Sequence, residues 1–232
     1  MTERFKPQSR DGKDWFRQVR WGEAEQALFR EKFGRARGPR NRAQYLRIQA
    51  GTLSEREPHV ALSLYDESLA LFPKDPMRAE AHNGRAEILL ARGDVDGALA
   101  AYEDAVEVMA LHPNFIVQAG LNYPFHVARL GRVDHFDRAL ALLETFGARQ
   151  TFPVDRFRVE ATRALIADAR GERRAGAAFA DRALAAAEEA HSGFVRHPDI
   201  GLVGASYGDV RARLARLVRN GKPSLLERLF SR

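Results

Sequence analysis

The chain has 232 residues, 37 Lys and Arg against 31 Asp and Glu for a formal net charge of +6, and no cysteine. The missing thiols exclude disulfides, thiolate metal sites and a cysteine nucleophile, and they suit a reducing compartment. Ala, Leu, Arg and Glu dominate while alternating runs of Val, Ile and Thr are missing, so the composition predicts an all-α protein.

The opening residues MTERFKPQSRDGKDW are polar and contain no apolar core of signal-peptide length, and no later stretch is long and apolar enough to cross a bilayer. A soluble, cytoplasmic, bacterial chain is the expectation. Its charge is uneven: +7 over residues 1–50, −7 over 51–209 and +6 over 210–232. The basic ends can meet a polyanion, fold back on the acidic middle, or be solvated helix faces.

Residues 1–13 read as a flexible arm. From Asp14 to Phe33, the apolar residues Trp15, Phe16, Val19, Ala24, Ala27, Leu28 and Phe33 recur at helical spacing, which predicts one or two short helices divided at Gly22. A basic turn, GRARGP, precedes a helix that buries Tyr45, Ile48 and Leu53. The next helix, His59 to Leu71, carries a wide apolar stripe through Ala61, Leu64, Tyr65 and Leu69, and Pro73 and Pro76 stop it. Two helices fill Ala79 to Pro113, joined at Gly93-Asp94. Further helices are expected from Pro113 to Leu130, Val133 to Phe146, Arg156 to Arg170 and Glu172 to Ala190, with a loop at Thr151 to Asp155. A break at His191 to Pro198 leads to a basic amphipathic helix, Tyr207 to Arg219, then a linker and a short helix, Ser224 to Phe230.

The chain repeats itself. Gly93, Gly131 and Gly171 each follow a helix and lie 38 and 40 residues apart, and Ala61 and Ala98 are 37 apart. Two helices per unit at this period, neither able to bury its apolar side alone, predict a short right-handed α-solenoid of antiparallel helix pairs. Each glycine is expected to supply the left-handed backbone that ends the first helix of its pair.

In Ala79 to Pro113, Ala86 stands on the first helix, Gly93-Asp94 at the turn, and Ala98, Tyr102 and Ala105 on the second helix. This small, turn, small, aromatic, small pattern resembles the tetratricopeptide repeat (TPR) family. Ala61, Tyr65 and Pro73 extend it to the preceding unit. Later units depart: Phe136 replaces a small residue, Pro124 sits at the close-packed point of a first helix, and Gly176 replaces alanine. The resemblance implies capping helices over 1–38, four helix pairs over 39–190, a C-terminal cap over 191–219, and a linker and short helix over 220–232. It also implies a non-catalytic module for protein–protein interaction, with no cofactor.

No catalytic constellation competes with that reading. Gly204-Ala205-Ser206-Tyr207-Gly208 matches the G-x-S-x-G elbow of hydrolases, but the elbow needs a sheet beneath it and a later histidine base, and no histidine follows His197. The seven histidines show no metal-ligand spacing, and no glycine-rich segment ends in G-K-[ST]. Asp94, Asp96 and Asp134 sit where helix caps belong.

The resemblance implies a concave binding face built by the first helices. It would be lined by Glu80, Asn83, Glu87 and Leu90 in one unit and by Leu121, Phe125 and Arg129 in the next. Carboxylates and an arginine around an apolar anchor suit a peptide or helix of another protein. Phe125 has a second possible role, packing between repeats. An adaptor, assembly chaperone or inhibitor is the expected function. The alternative is a nucleic-acid or other polyanion site at the basic ends, through Arg35, Arg37, Arg40, Arg211 and Arg213. The C-terminal helix also offers a route to self-association.

Overall fold

The structure is a computed structural model that describes residues 14–148 and 150–221. Among these residues there are ten α-helices and no strand, and no helix is long and apolar enough to cross a membrane. The chain divides into two compact units, one ending at Ala119 and the other beginning at Gly120. The expected arm at 1–13 and the expected short helix at 224–230 lie outside the described residues.

The first unit holds α1 (Glu23–Arg35), α2 (Pro39–Leu53), α3 (Pro58–Leu71), α4 (Arg78–Ala91) and α5 (Val95–Leu111). Helix α2 packs on α3 and α4 on α5, and α3 also meets α4, so the pairs stack. Prolines open α2 and α3 in the first turn, where the N–H has no intrahelical acceptor and its absence costs no hydrogen bond. Gly93 adopts φ 81° and ends α4 as expected. Asp94 then caps α5, its carboxylate accepting from the Gly97 N–H at 3.0 Å.

Phe29, Leu46, Leu53, Leu64, Tyr65 and Ile88 form the core of this unit, with Trp15, Phe16 and Trp21 packed against it. Trp15 and Phe16 were expected on a helix, but α1 begins only at Glu23. The reason is Gln49, a fully buried amide on α2. Its Oε1 accepts from the Gln18 N–H and its Nε2 donates to the Gln18 carbonyl, both at 2.8 Å. A buried amide costs free energy unless it is satisfied. Gln49 meets that demand by taking the backbone groups of Gln18 out of any helical ladder and laying the segment along α2. There the Trp15 ring packs at a tilt against those of Tyr45 and Phe29, with centroids 4.7 and 5.4 Å away.

Tyr65, 6% exposed, reaches from α3 to both first helices. A Cβ at Gly51 of α2 would touch its hydroxyl at 3.4 Å, and one at Gly84 of α4 would overlap the hydroxyl and the ring carbon that bears it. Small residues on α2 and α4 thus make room for an aromatic residue on α3.

The second unit comprises α6 (Ala119–Leu130), a single 3₁₀ turn (Val133–His135), α7 (Phe136–Phe146), α8 (Pro153–Ala169), α9 (Arg173–Ala187) and α10 (Gly208–Asn220). Gly131 and Gly171, at φ 67° and 78°, stop α6 and α8. The helix expected from Val133 starts three residues later. Pro124 lies inside α6. Leu121, Leu143 and Val159 join α6, α7 and α8 in one apolar cluster with Phe146 against it. Asp155, buried at the start of α8, accepts from the N–H groups of Phe152 and Thr151 at 3.0 and 3.2 Å. Helix α10 packs on α9 and α8 and buries Val210 and Leu214 completely.

Candidate partner-binding site

The expected site residues divide between the two units. On α4, the spacing of Glu80, Asn83, Glu87 and Leu90 puts them on one face of the helix. Glu80 and Glu87 are exposed, and Asn83 and Leu90 are half-buried. Both carboxylates are tied from below. Glu80 accepts from Arg47 Nε at 2.9 Å, and Arg47 is only 7% exposed against 53% for Glu80. Glu87 accepts from the hydroxyl of the buried Tyr102 at 2.6 Å. Each acid is therefore held in place by a donor from the layer beneath, which lowers the entropy cost of meeting a partner.

Charges flank the same helix. Arg85 pairs with Asp66 at 2.9 Å, and His82 lies 3.3 Å from Asp104. Burial pushes the His82 pKa down, against the opposing pull of Asp104. The Tyr65 hydroxyl is raised to about 12 by burial and then by Glu80, so it stays a neutral phenol.

The other three site residues fare differently. Leu121 and Phe125 on α6 are 6% and 1% exposed. Phe125 packs against Phe157 of α8 at 6.3 Å and Tyr207 at 5.5 Å between ring centroids. In this conformation neither side chain offers a surface to a partner, and Phe125 fills the packing role that the sequence left open for it. Arg129 is half-exposed, but its Nε donates to Asp209 at 3.0 Å and its carbonyl accepts from Arg213 at 2.9 Å.

The basic ends are partly consumed within the chain. Arg211 pairs with Glu188 at 2.6 Å, Arg213 bonds the Arg129 carbonyl, and Arg35 pairs with Glu31 at 2.9 Å. Arg30 likewise reaches Glu67 at 2.8 Å. Arg37 and Arg40 are exposed and form no ion pair among the described residues. Of the readings the charge pattern left open, folding back on the acidic middle accounts for Arg30, Arg47 and Arg211.

Ser206 of the G-x-S-x-G segment lies in a single 3₁₀ turn before α10, exposed, with no sheet among the described residues. What the sequence reading missed there is Tyr207. It is joined to Arg158 of α8 by a 2.9 Å hydrogen bond from Nε to the phenol oxygen, and its ring lies 5.1 Å from that of Phe157. A tyrosine between two glycines, next to a basic helix, was its only local signal.

Residues 53–114 match the family model of the tetratricopeptide repeat. No curated protein and no solved structure matched the chain. The matched stretch runs from the end of α2 through α3, α4 and α5 and contains the Tyr65–Gly84 contact, the Gly93 stop, the Asp94 cap and the exposed acids of α4. Residues 53–114 are thus similar to the tetratricopeptide repeat, a repeat class that generally mediates protein–protein interactions.

Proposed function

We propose that the chain is a non-catalytic cytoplasmic binding module, an adaptor, assembly chaperone or inhibitor, that holds a peptide or helix of a partner on α4. The observation that carries this reading is the pair of exposed carboxylates, Glu80 and Glu87, each pinned by a buried donor and set two helical turns apart. A rise of 1.5 Å per residue separates them by roughly 10 Å along the helix. That spacing fits a partner segment with two cationic groups on one side, and Leu90 supplies an apolar contact beyond them.

Replacing both acids by amides tests this, because glutamine keeps an oxygen for Arg47 and Tyr102 while removing the charge. Immobilised Glu80→Gln/Glu87→Gln is expected to retain helicity and to hold its partners about tenfold less tightly than wild type, a loss near 1.4 kcal/mol. Equal retention of partners by a folded double variant contradicts the assignment.

The polyanion alternative draws on Arg37 and Arg40, the exposed arginines of that set without an ion pair among the described residues. Neutralising phosphates with them makes capture fall steeply with salt. Salt-insensitive capture removes it.

A further inference from the structure

Part of the second unit's surface is already filled by the chain itself. Residues 204–209 run from Gly204 through the single turn at Ala205–Tyr207 into α10, and they lie against both α6 and α8. The Tyr207 ring meets Phe157 and Phe125 edge-on. Arg158 donates to its hydroxyl and places a guanidinium 5.7 Å from the ring centroid. Two residues on, Asp209 takes the hydrogen bond from Arg129. An aromatic ring between two phenylalanines and a carboxylate on an arginine give an apolar centre with a cationic rim, which is the make-up of a protein-binding hot spot.

The segment is held unevenly. Val210 and Leu214 are fully buried and fix α10. Before them, residues 204–206, 208 and 209 are exposed, and only Tyr207 is partly covered. An exposed pair such as Arg129–Asp209 contributes at most about 1 kcal/mol. Residues 204–209, which include only the first two residues of α10, therefore open at far lower cost than the rest of that helix, as local openings do in weakly packed segments.

The geometry points to a docking site on α6 and α8 for an aromatic side chain followed two residues later by a carboxylate, kept shut in the free protein by Tyr207 and Asp209. This inference rests on the protein-binding reading above and adds a second face with its ligand chemistry. A partner segment of that pattern competes with the chain's own segment for Phe125, Phe157, Arg129 and Arg158. Its apparent affinity is lowered by the fraction of molecules in which the segment is closed.

The probe is a labelled peptide copying residues 203–211, VGASYGDVR, titrated by fluorescence anisotropy into wild type and into Tyr207→Ser/Asp209→Ser. The vacated variant is expected to bind at least about tenfold more tightly than wild type, the ratio set by a site closed about nine-tenths of the time. The same peptide with its tyrosine replaced by alanine is expected to bind neither. Equal affinity for both proteins, or binding that survives loss of the peptide's tyrosine, overturns the inference. Should the variant fail to fold, amide exchange of wild type decides: excess peptide speeds exchange in 204–209 and leaves residues 210–220 unchanged, whereas unaltered exchange in 204–209 overturns the inference. The Glu80 and Glu87 amides report on α4 alone, so failure here and failure of the binding-module reading are separately visible.

Discussion

Gly84→Val is expected to destabilise the first unit by about 3 kcal/mol, the upper part of the range for overpacking a core. Two opposed effects decide the sign. Valine is the better helix former, but only by about 0.4 kcal/mol, since its β-branch already costs much of what glycine does. Against this, the first added carbon already overlaps the hydroxyl and adjacent ring carbon of Tyr65, before the two methyl groups are counted. Tyr65 cannot yield cheaply, because its ring is packed in the core between α2, α3 and α4 and Gly51 lies close on the other side. Expelling it forfeits most of the burial of a large aromatic residue. Thermal or urea unfolding of Gly84→Val, Tyr65→Leu and the double variant checks the origin of the cost. The double variant is expected to be less destabilised than the sum of the singles by at least about 1 kcal/mol, within the range of coupling for residues in contact. Strict additivity would contradict the clash.

The second large effect is acid lability of the second unit through His126. Burial first, then the charges of Arg158 and Arg129, push its pKa from 6.5 down to about 4. The folded protein therefore resists a proton that the unfolded chain accepts below pH 6.5. Stability from this residue is complete above that pH, falls as pH drops from 6.5 to 4, and changes no further below. The loss amounts to about 2 kcal/mol between pH 7 and 5 and about 3 kcal/mol in full. His82, also lowered by burial, adds a loss of the same sign in the first unit. Denaturant unfolding at pH 7 and 5 reads the effect above most of the carboxylate titrations. In His126→Gln the difference between the two pH values is expected to shrink by most of those 2 kcal/mol. An undiminished slope would show that His126 is not its source.

How much of this was legible in the sequence depended on the range of the interactions involved. Ala79 to Pro113 was readable because its information is local: Ala86, Ala98, Tyr102 and Ala105 are buried at the helical spacing that placed them, and Gly93 and Asp94 perform the stop and the cap. The glycine stops at Gly131 and Gly171 followed from the same rule. Gln49 was not readable, since nothing in its neighbours announces that its amide will pair with a backbone 31 residues earlier. The same holds for Tyr207 and Asp209, whose partners lie on helices 49 to 82 residues away. Phe125 shows the limit most clearly. Its apolarity suits a partner's anchor and a core ring equally, and only the positions of Phe157 and Tyr207 distinguish them. The acids of α4 were legible as exposed charges, but their tethers to Arg47 and Tyr102 needed the fold.

The central claim is that α4 presents the partner-binding face of the repeat segment. A photo-crosslinking side chain placed at Asn83, between Glu80 and Glu87, tests it most directly, with the same group at the exposed Ala100 of α5 as the control. Irradiation in a lysate of the source organism is expected to give discrete protein adducts from position 83 and none from position 100, and the adducts are expected to vanish when Glu80 and Glu87 are both replaced by Gln. Equal labelling from the two positions, or adducts from position 100 alone, would contradict the assignment.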